Sequence, residues 1–454
     1  MRFETHTHTE FSNKRLLDST NKIDKLLLKA NEMGLSGLTI TDHESLASAP
    51  RLFRLEKELK EKGELPKEFK VALGNEIYLV EDRENIERYF HFILIAKSLK
   101  GYHALSILSS LANLQGWKTG KMERVPTTIK ELKGVMEDYK GEVIACTACL
   151  GGYMQNRALS LSKASKAKDK VLQNKVKQEM IDFTDKMISL FGDDFYIELS
   201  PAETEEQITA NQILLNFADF KGLKCVVGTD AHYLRPENRR AHSAFLNSNK
   251  GKDRETDKFY RYAYLQTDNE IKQNLFNVCN EDRVEEFFKN SLSLAEKIGE
   301  YSIFKAPIIP EFGDIKVFDV GNYPNIKQKT LRKYLDSDNI QKRYWVNSCL
   351  DSLYEKRLES EITLDRLETE ADILEYLSEK SNVVIASYFN TFKEVVDIFW
   401  DAESIMPPGR GSASGFLSCY LLDIVQVNPL QYDLQHWRFL NKERVELPKQ
   451  LLGN

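Results

Sequence analysis

The stretch Arg2–Ser12, RFETHTHTEFS, sets two imidazoles two residues apart, His6 and His8, on what reads as an extended strand. Residues i and i+2 of a strand project from the same side, so both rings face one spot. A lone His-x-His pair is more often an exposed strand end than a ligand pair. Its meaning therefore depends on what else the chain brings to that spot.

Working outward, seven apolar runs bounded by polar ends read as strands: RFETH, LSGLTITD, KVALGNEI, YFHFILIA, EVIACTA, DFYIELS and LKCVVGTD. Helix-like segments such as NKIDKLLLKANEMG, with apolar residues three and four apart and Gly34 at the end, lie between most of them. Strands alternating with helices predict parallel β/α units and a barrel related to the TIM type, whose chemistry sits at the C-terminal strand ends. The first strand ends in His6 and His8 and the second in Asp42 and His43. The third carries Glu76 and the fourth His91, the fifth ends near Cys149, and the seventh ends in Asp230 and His232. Asp18, in the loop after the first strand, can reach the same mouth. Five of the chain's 8 histidines fall at these positions, which turns the opening pair into part of a metal constellation.

The composition, 42% hydrophobic and 29% charged over 454 residues, is that of an ordinary globular protein with room for two or three domains. No signal segment or long apolar run is evident, and the 6 cysteines lack regular spacing, so a cytoplasmic protein with reduced thiols is expected. A net charge of −6 argues against coating nucleic acid by bulk electrostatics. The lysine-rich KASKAKDKVLQNKVK from Lys163 reads more readily as a solvated helix face than as a DNA track. Near Lys305 the Pro-punctuated FKAPIIPEFG marks a connector, and long charged helical patterns follow, so domains are expected at 1–300 and 301–454.

The expected ligands are His6, His8, Asp18, His43, Glu76, His91, Cys149, Asp230 and His232, too many for one ion. Two or three divalent ions are implied: zinc, manganese or iron, with magnesium a further candidate, and no organic cofactor. A metal-bound water positioned by His6, His8, Asp230 and His232 would hydrolyse a phosphoester. Competing readings are bland: His91 as a core histidine, Cys146 and Cys149 as a stray C-x-x-C, Asp42 as an orienting group or helix cap. Glu198 is a tenth candidate or an orienting group, and His103, His242 and His436 read as structural.

These motifs, as HTH, LLDS, TDH, GNE, YFH, ACLGG and TDAH, resemble the polymerase and histidinol phosphatase (PHP) family, and their flanks resemble the N-terminal domain of bacterial DNA polymerase III alpha subunits. The segments RLETEADIL, SYFNTFKEVVDIFW, PPGRGSASGFLSCYLLDIVQVNPLQYDL and RFLNKERVELP resemble the first part of the palm of the same C-family polymerases. The expected fold is α/β: a PHP-type distorted (β/α)7 barrel followed by a partial α+β polymerase palm region. Taken alone, GRGSASG is as well read as a turn before an apolar helix as a polyanion cradle. The resemblance implies that Gly409, Arg410, Gly411, Ser412 and Ser414 contact nucleotide phosphates.

The resemblance implies a nucleotidyltransferase-family fragment that keeps a metal-dependent 3′–5′ exonuclease site and acts on a single-stranded 3′ end or a primer-template. Where the family places an Asp-x-Asp pair for the polymerase metals, this chain has Lys449 and Leu451, so the chain alone is expected not to polymerise DNA. A split gene, an intein or frameshift, or a fragment retained for its phosphoesterase would each account for this, in a bacterial cell or a phage-infected host. A second polypeptide could then supply the rest, and no membrane is expected as a partner. The competing functions are a small-molecule phosphoesterase or pyrophosphatase, and a non-catalytic metal-braced scaffold.

Overall fold

The order in which the strands pair decides which residues share the mouth. The computed structural model describes residues 1–13, 17–83, 88–114, 125–248, 260–305, 308–310, 323, 325–409 and 411–445, and separates into two units, Met1–Lys305 and Ala306–Asn454. In the first unit all seven expected strands form: β1 (Phe3–Thr7), β2 (Gly37–Ile40), β3 (Lys70–Val80), β4 (Phe90–Ala96), β6 (Val143–Cys146), β7 (Phe195–Leu199) and β8 (Cys225–Val227). They pair in the order β1-β2-β3-β4-β6-β7-β8, and the two-residue β5 (Thr127–Thr128) pairs with β3 off this path. The sheet nearly closes, because Thr7 bridges Ala231 beyond β8 and the His8 N–H donates to the Ala231 carbonyl at 3.0 Å.

One expectation needs correction: β4 runs antiparallel to both β3 and β6. The link from Val80 to Phe90 is shorter than the dozen or so residues that a parallel crossover needs, so the chain turns back as a hairpin. His91 therefore sits at the start of its strand, opposite Tyr78, and still faces the end of the barrel to which the parallel strands point.

Helices α1 (Ile23–Glu32), α2 (Ala49–Glu61), α3 (Leu99–Leu114), α4 (Ile129–Asp138), α5 (Tyr153–Lys166), α6 (Lys170–Phe191) and α7 (Glu205–Lys221) cover the sheet. Their local signals are legible: Thr128 and Glu131 form a capping box on α4, Thr204 caps α7, and Gly222 ends α7 at φ 66°. Ile23, Leu26 and Leu27 of α1 bury against Leu38 and Ile40 of β2, whereas Leu105 and Leu108 of α3 join Phe92, Leu94 and Phe183 in a larger core. Removing any one of these leucines would cost about 2–5 kcal/mol. The strand carrying the His-x-His pair is pinned by charge. Buried Arg2 pairs with Glu4 at 2.5 Å, and Glu4 accepts the backbone N–H groups of His6 and Thr229.

The second unit packs helices Lys329–Leu335, Ile340–Glu355, Glu361–Ser381 and Ala386–Asp401 around Tyr334, Trp345, Leu374 and Phe389. No strand occurs among its described residues, so the part of the expected α+β palm that is described is helical. The stretch RFLNKERV, where a strand would fit, folds as turns of 3-10 helix at His436–Arg438 and Lys442–Val445.

Candidate metal centre and glycine loop

All nine expected ligands are described, and they converge. His6 Nε2, His8 Nε2 and Asp230 Oδ1 stand 3.0–3.2 Å from one another. Glu76 reaches both histidines, at 3.7 Å from His6 and 3.5 Å from His8. The Glu76 carboxylate also meets His43 Nδ1 at 2.6 Å and His91 Nδ1 at 2.8 Å, and Asp18 lies 2.6 Å from His43 Nε2 and 3.3 Å from His232 Nε2. Cys149 Sγ is 3.6 Å from His91 Nδ1. The His8 ring stacks on His43 at 4.2 Å and on His232 at 4.4 Å. Three overlapping groups have donor atoms within 4.8 Å of one another: His8, His43 and His232; His6, His8 and Glu76; His43, Glu76 and His91.

The backbone is bent to make this convergence. Glu44, Ala148 and Asp230, each at or beside an expected ligand, hold φ of 48°, 62° and 48°, the left-handed region that costs a residue with a Cβ about 1–2 kcal/mol. Gly228 lets the chain pass Glu198, since a Cβ there would lie 2.5 Å from the carboxylate carbon. Gly151 does the same beside the His91 ring, with a Cβ 2.8 Å from its Cγ.

Around the donors lies a layer that orients them. Glu198 holds His6 Nδ1 at 2.7 Å, an orienting contact for the carboxylate that the sequence left between tenth ligand and support. Asp42 accepts from Thr9 N–H at 2.7 Å and from the Ser12 hydroxyl at 2.8 Å, and Ser12 touches His8 Nδ1 at 3.2 Å. Asp18 accepts from Tyr260 Oη at 2.7 Å, and His242 Nε2 donates to its backbone carbonyl at 2.6 Å. Sequence reasoning missed Ser12 and Tyr260 and assigned His242 no place at the site. Only Ser12 carried a signal, four residues after His8.

The chemistry of the donor set fits cations. Ligand bonds of about 2.0–2.2 Å put neighbouring donors on one ion about 3 Å apart, which is the spacing of His6, His8 and Asp230. Four buried atoms, His43 Nδ1, Glu76 Oε2, Glu198 Oε2 and Asp230 Oδ1, make no well-directed hydrogen bond, although His43 Nδ1 and Glu76 Oε2 touch at 2.6 Å and Asp230 Oδ1 lies 3.1–3.2 Å from His8 and His6. Without a cation, protons take its place. Burial works against charge on His6, but Glu198, Asp230 and Glu76 outweigh it and raise its pKa to about 10. Burial, with His43 and His232 alongside, pushes His8 down to about 3. Burial opposes ionisation of Asp18 too, yet His232 and His43 hold it well below the usual carboxylate range. The Cys149 thiol is pushed well up by burial and by Asp230 and Glu76, so a thiolate there requires a cation.

The glycine loop of the second unit is organised differently. Gly409 has φ 138°, and a Cβ on it would lie 2.6 Å from Ser414 Oγ; Gly411 has φ 67° and opens the 3-10 turn Gly411–Gly415, which includes Ser412. Arg410 lies outside the described residues, as do Lys449 and Leu451. The first N–H groups of helix Leu417–Leu421 already have a partner. Fully buried Glu370 accepts from Leu417 at 2.6 Å and from Ser418 at 2.8 Å. Arg366 donates to Glu370 at 3.1 Å, to the Gly415 carbonyl at 2.6 Å and to the Leu434 carbonyl at 2.8 Å. Glu370 was legible only as one acid among several in RLETEADIL.

Comparison with known proteins gives both halves a family. Residues 4–202 match the PHP domain and residues 328–449 the bacterial DNA polymerase III alpha NTPase domain. The chain is 38% identical over 465 aligned positions to the DNA-directed DNA polymerase of Bacillus phage SPbeta, covering 98% of this chain and 36% of that protein. It is 28% identical to the DNA polymerase III subunit alpha of Aquifex aeolicus (strain VF5), covering 98% of this chain and 35% of that protein. The chain thus spans about a third of the length of the curated relatives it matches.

Proposed function

For a chain that belongs to the PHP-bearing DNA polymerase III alpha family, we propose that the barrel mouth holds two or three divalent cations and hydrolyses phosphodiesters at the 3′ end of DNA. The observation that carries this reading is the convergence of nine donors on one mouth, where Glu76 Oε2, Asp230 Oδ1 and His43 Nδ1 are buried without a well-directed hydrogen bond. Zinc, manganese and iron all suit a site that mixes imidazole, carboxylate and thiolate.

His6, His8, Glu76 and Asp230 would hold one ion, and His43, His91, Asp18, His232 and Cys149 would complete the others. When bound, the ions lower the pKa of water and stabilise the charge on attacking and leaving oxygens. The chain's own residues position them. Glu198 fixes the His6 ring through Nδ1, Ser12 and Asp42 fix His8, and Tyr260 fixes Asp18. The second unit would contribute a nucleotide-phosphate loop at Gly409, Arg410, Gly411, Ser412 and Ser414.

Chelator-stripped protein resupplied with manganese or zinc should shorten a 3′-labelled single-stranded oligonucleotide, and His8→Ala should not. Hydrolysis of a phosphate monoester with none of DNA would instead favour a small-molecule phosphoesterase. A melting temperature that rises with metal, without hydrolysis of either substrate, would leave a braced scaffold.

A further inference from the structure

The lysine-rich segment 163–177 concentrates positive charge around one turn. It forms the end of α5, a tight turn and the start of α6, and its six lysines, Lys163, Lys166, Lys168, Lys170, Lys175 and Lys177, are all exposed. The single acid in the segment, Asp169, is engaged in accepting the Leu172 N–H at 3.0 Å. This concentration of positive charge stands in a chain of net charge −6.

Two of the lysines oppose the local structure. Lys168 occupies the left-handed region at φ 56°, at the C-terminal turn of α5, where glycine is the unstrained residue. Lys170 is the first residue of α6, directly behind the Asp169 cap, and places a cation where a helix N-terminus disfavours one. Residues that break local preference in this way concentrate where function demands them.

The turn also neighbours the metal mouth. Lys166 Nζ lies 3.5 Å from Glu205, the first residue of α7. Next to it, Thr204 and Gln207 line a cleft of about 40 Å³ whose other walls include Cys149, Asp230 and Tyr262. The Arg261 guanidinium lies 5.4 Å over the Tyr262 ring, an aromatic and cationic pair of the kind on which unpaired bases stack.

We propose that the α5–α6 turn is a binding surface for the phosphate backbone of a single-stranded nucleic acid whose end enters the mouth. The proposal rests on the reading of the mouth as a phosphodiesterase. Its specificity is for charge and strand, since lysine contacts to phosphate carry no base information. The surface would give long substrates an advantage over short ones without touching the reacting phosphate.

The test is the double variant Lys168→Gly with Lys170→Gln, which removes two charges while relieving both local conflicts. Its melting temperature should equal or exceed that of the parent. Anisotropy titrations of a labelled oligothymidylate 20-mer against salt should give a log–log slope shallower by about 1.4, from roughly 0.7 for each phosphate that a lysine no longer neutralises. In manganese, KM for the 20-mer should rise several-fold, with kcat and the KM for a thymidine dinucleotide unchanged. A pair on the helix bodies, Lys163→Gln with Lys175→Gln, should repeat the effect and stands in if the first fails to fold. Parent protein that cleaves the 20-mer while the variants keep its salt slope and KM would overturn the proposal. So would variants that lose affinity for polyglutamate and keep it for DNA, which would assign the turn to an acidic protein. Parent protein that cleaves neither substrate, yet shows the change in slope, would uphold the surface and sink the nuclease reading.

Discussion

The barrel mouth and the glycine loop both suggest phosphate chemistry in the sequence, but their polar groups are in opposite states. At the mouth, Glu76 Oε2, Asp230 Oδ1 and His43 Nδ1 are buried without a well-directed hydrogen bond, and histidines face one another across 3.0 Å. At the loop, the N–H groups of Leu417 and Ser418 are taken by the Glu370 carboxylate, and the Gly415 carbonyl is taken by Arg366. An uncompensated buried polar group costs about 1–3 kcal/mol, so the mouth is arranged for an external cation. The loop is held from within, and any anion it meets must use Gly409–Ser414 rather than the start of the following helix.

The strongest way to break the comparison is to remove a donor from the mouth. Asp230→Ala should bring metal-dependent hydrolysis of a 3′-labelled oligonucleotide to background, because Asp230 lies within 3.2 Å of both His6 and His8. Retained full activity would sink the assignment of the site. The same substitution should leave the unfolding of the second unit unchanged when followed by tryptophan fluorescence in a Trp117→Phe background, since Trp345, Trp400 and Trp437 all belong to that unit.

The converse experiment attacks the loop. Glu370→Ala leaves Arg366 without its carboxylate and two N–H groups without an acceptor. Breaking a buried pair of this kind costs about 3–5 kcal/mol. Urea unfolding followed by tryptophan fluorescence should show that destabilisation, while metal-dependent hydrolysis at the mouth persists in the folded protein. A neutral outcome would mean that the loop is not held from within.

A smaller effect tests how the mouth is supported. Glu198→Gln keeps the shape but weakens the grip on His6 Nδ1, now 2.7 Å from a carboxylate. Partners that orient metal ligands typically contribute 10–100-fold to metal affinity or activity. A decrease in that range, measured as manganese activation of oligonucleotide hydrolysis, is expected. A decrease as complete as that of Asp230→Ala would promote Glu198 from orienting group to ligand.

The mouth was more legible than the loop for a physical reason. Period-two alternation places His6 and His8 on one side, and the β/α pattern sends His43, Asp230 and His232 to the same end, so local rules carry most of the geometry. They failed at β4, where nothing in YFHFILIA shows strand direction and only the short link from Val80 reveals the hairpin. The supports were harder to read. Tyr260 and His242 reach Asp18 across more than 220 residues, a distance no periodicity spans. At the loop, GRGSASG advertised a phosphate site, but Glu370, 47 residues before Leu417, occupies the neighbouring N–H groups. A sequence pattern shows which groups could bind an ion and not whether another part of the chain already binds them.

The same contrast should appear, more weakly, in pH dependence. Burial raises the pKa of Glu370 above its ordinary 4.5, and its hydrogen bonds to Ser418 and Leu417 and the nearby Arg366 offset that only in part. A carboxyl whose folded pKa lies above its unfolded one makes the fold bind the proton more tightly. The second unit should therefore gain stability as pH falls from neutral through the raised value toward 4.5. At the mouth, Asp18 and Glu76 behave in the opposite sense. Burial acts to raise Asp18 and Glu76 as well, but the facing histidines hold both well below the ordinary range, so their contribution is present above that range and lost as pH falls through the lowered values. Tryptophan-detected urea midpoints between pH 7 and pH 5 should rise toward acid in the parent protein, and Glu370→Gln, which cannot titrate, should flatten that slope. An equal slope in the variant would show that the carboxylate is fully compensated by its partners, and the loop would then owe its rigidity to hydrogen bonding without a burial penalty.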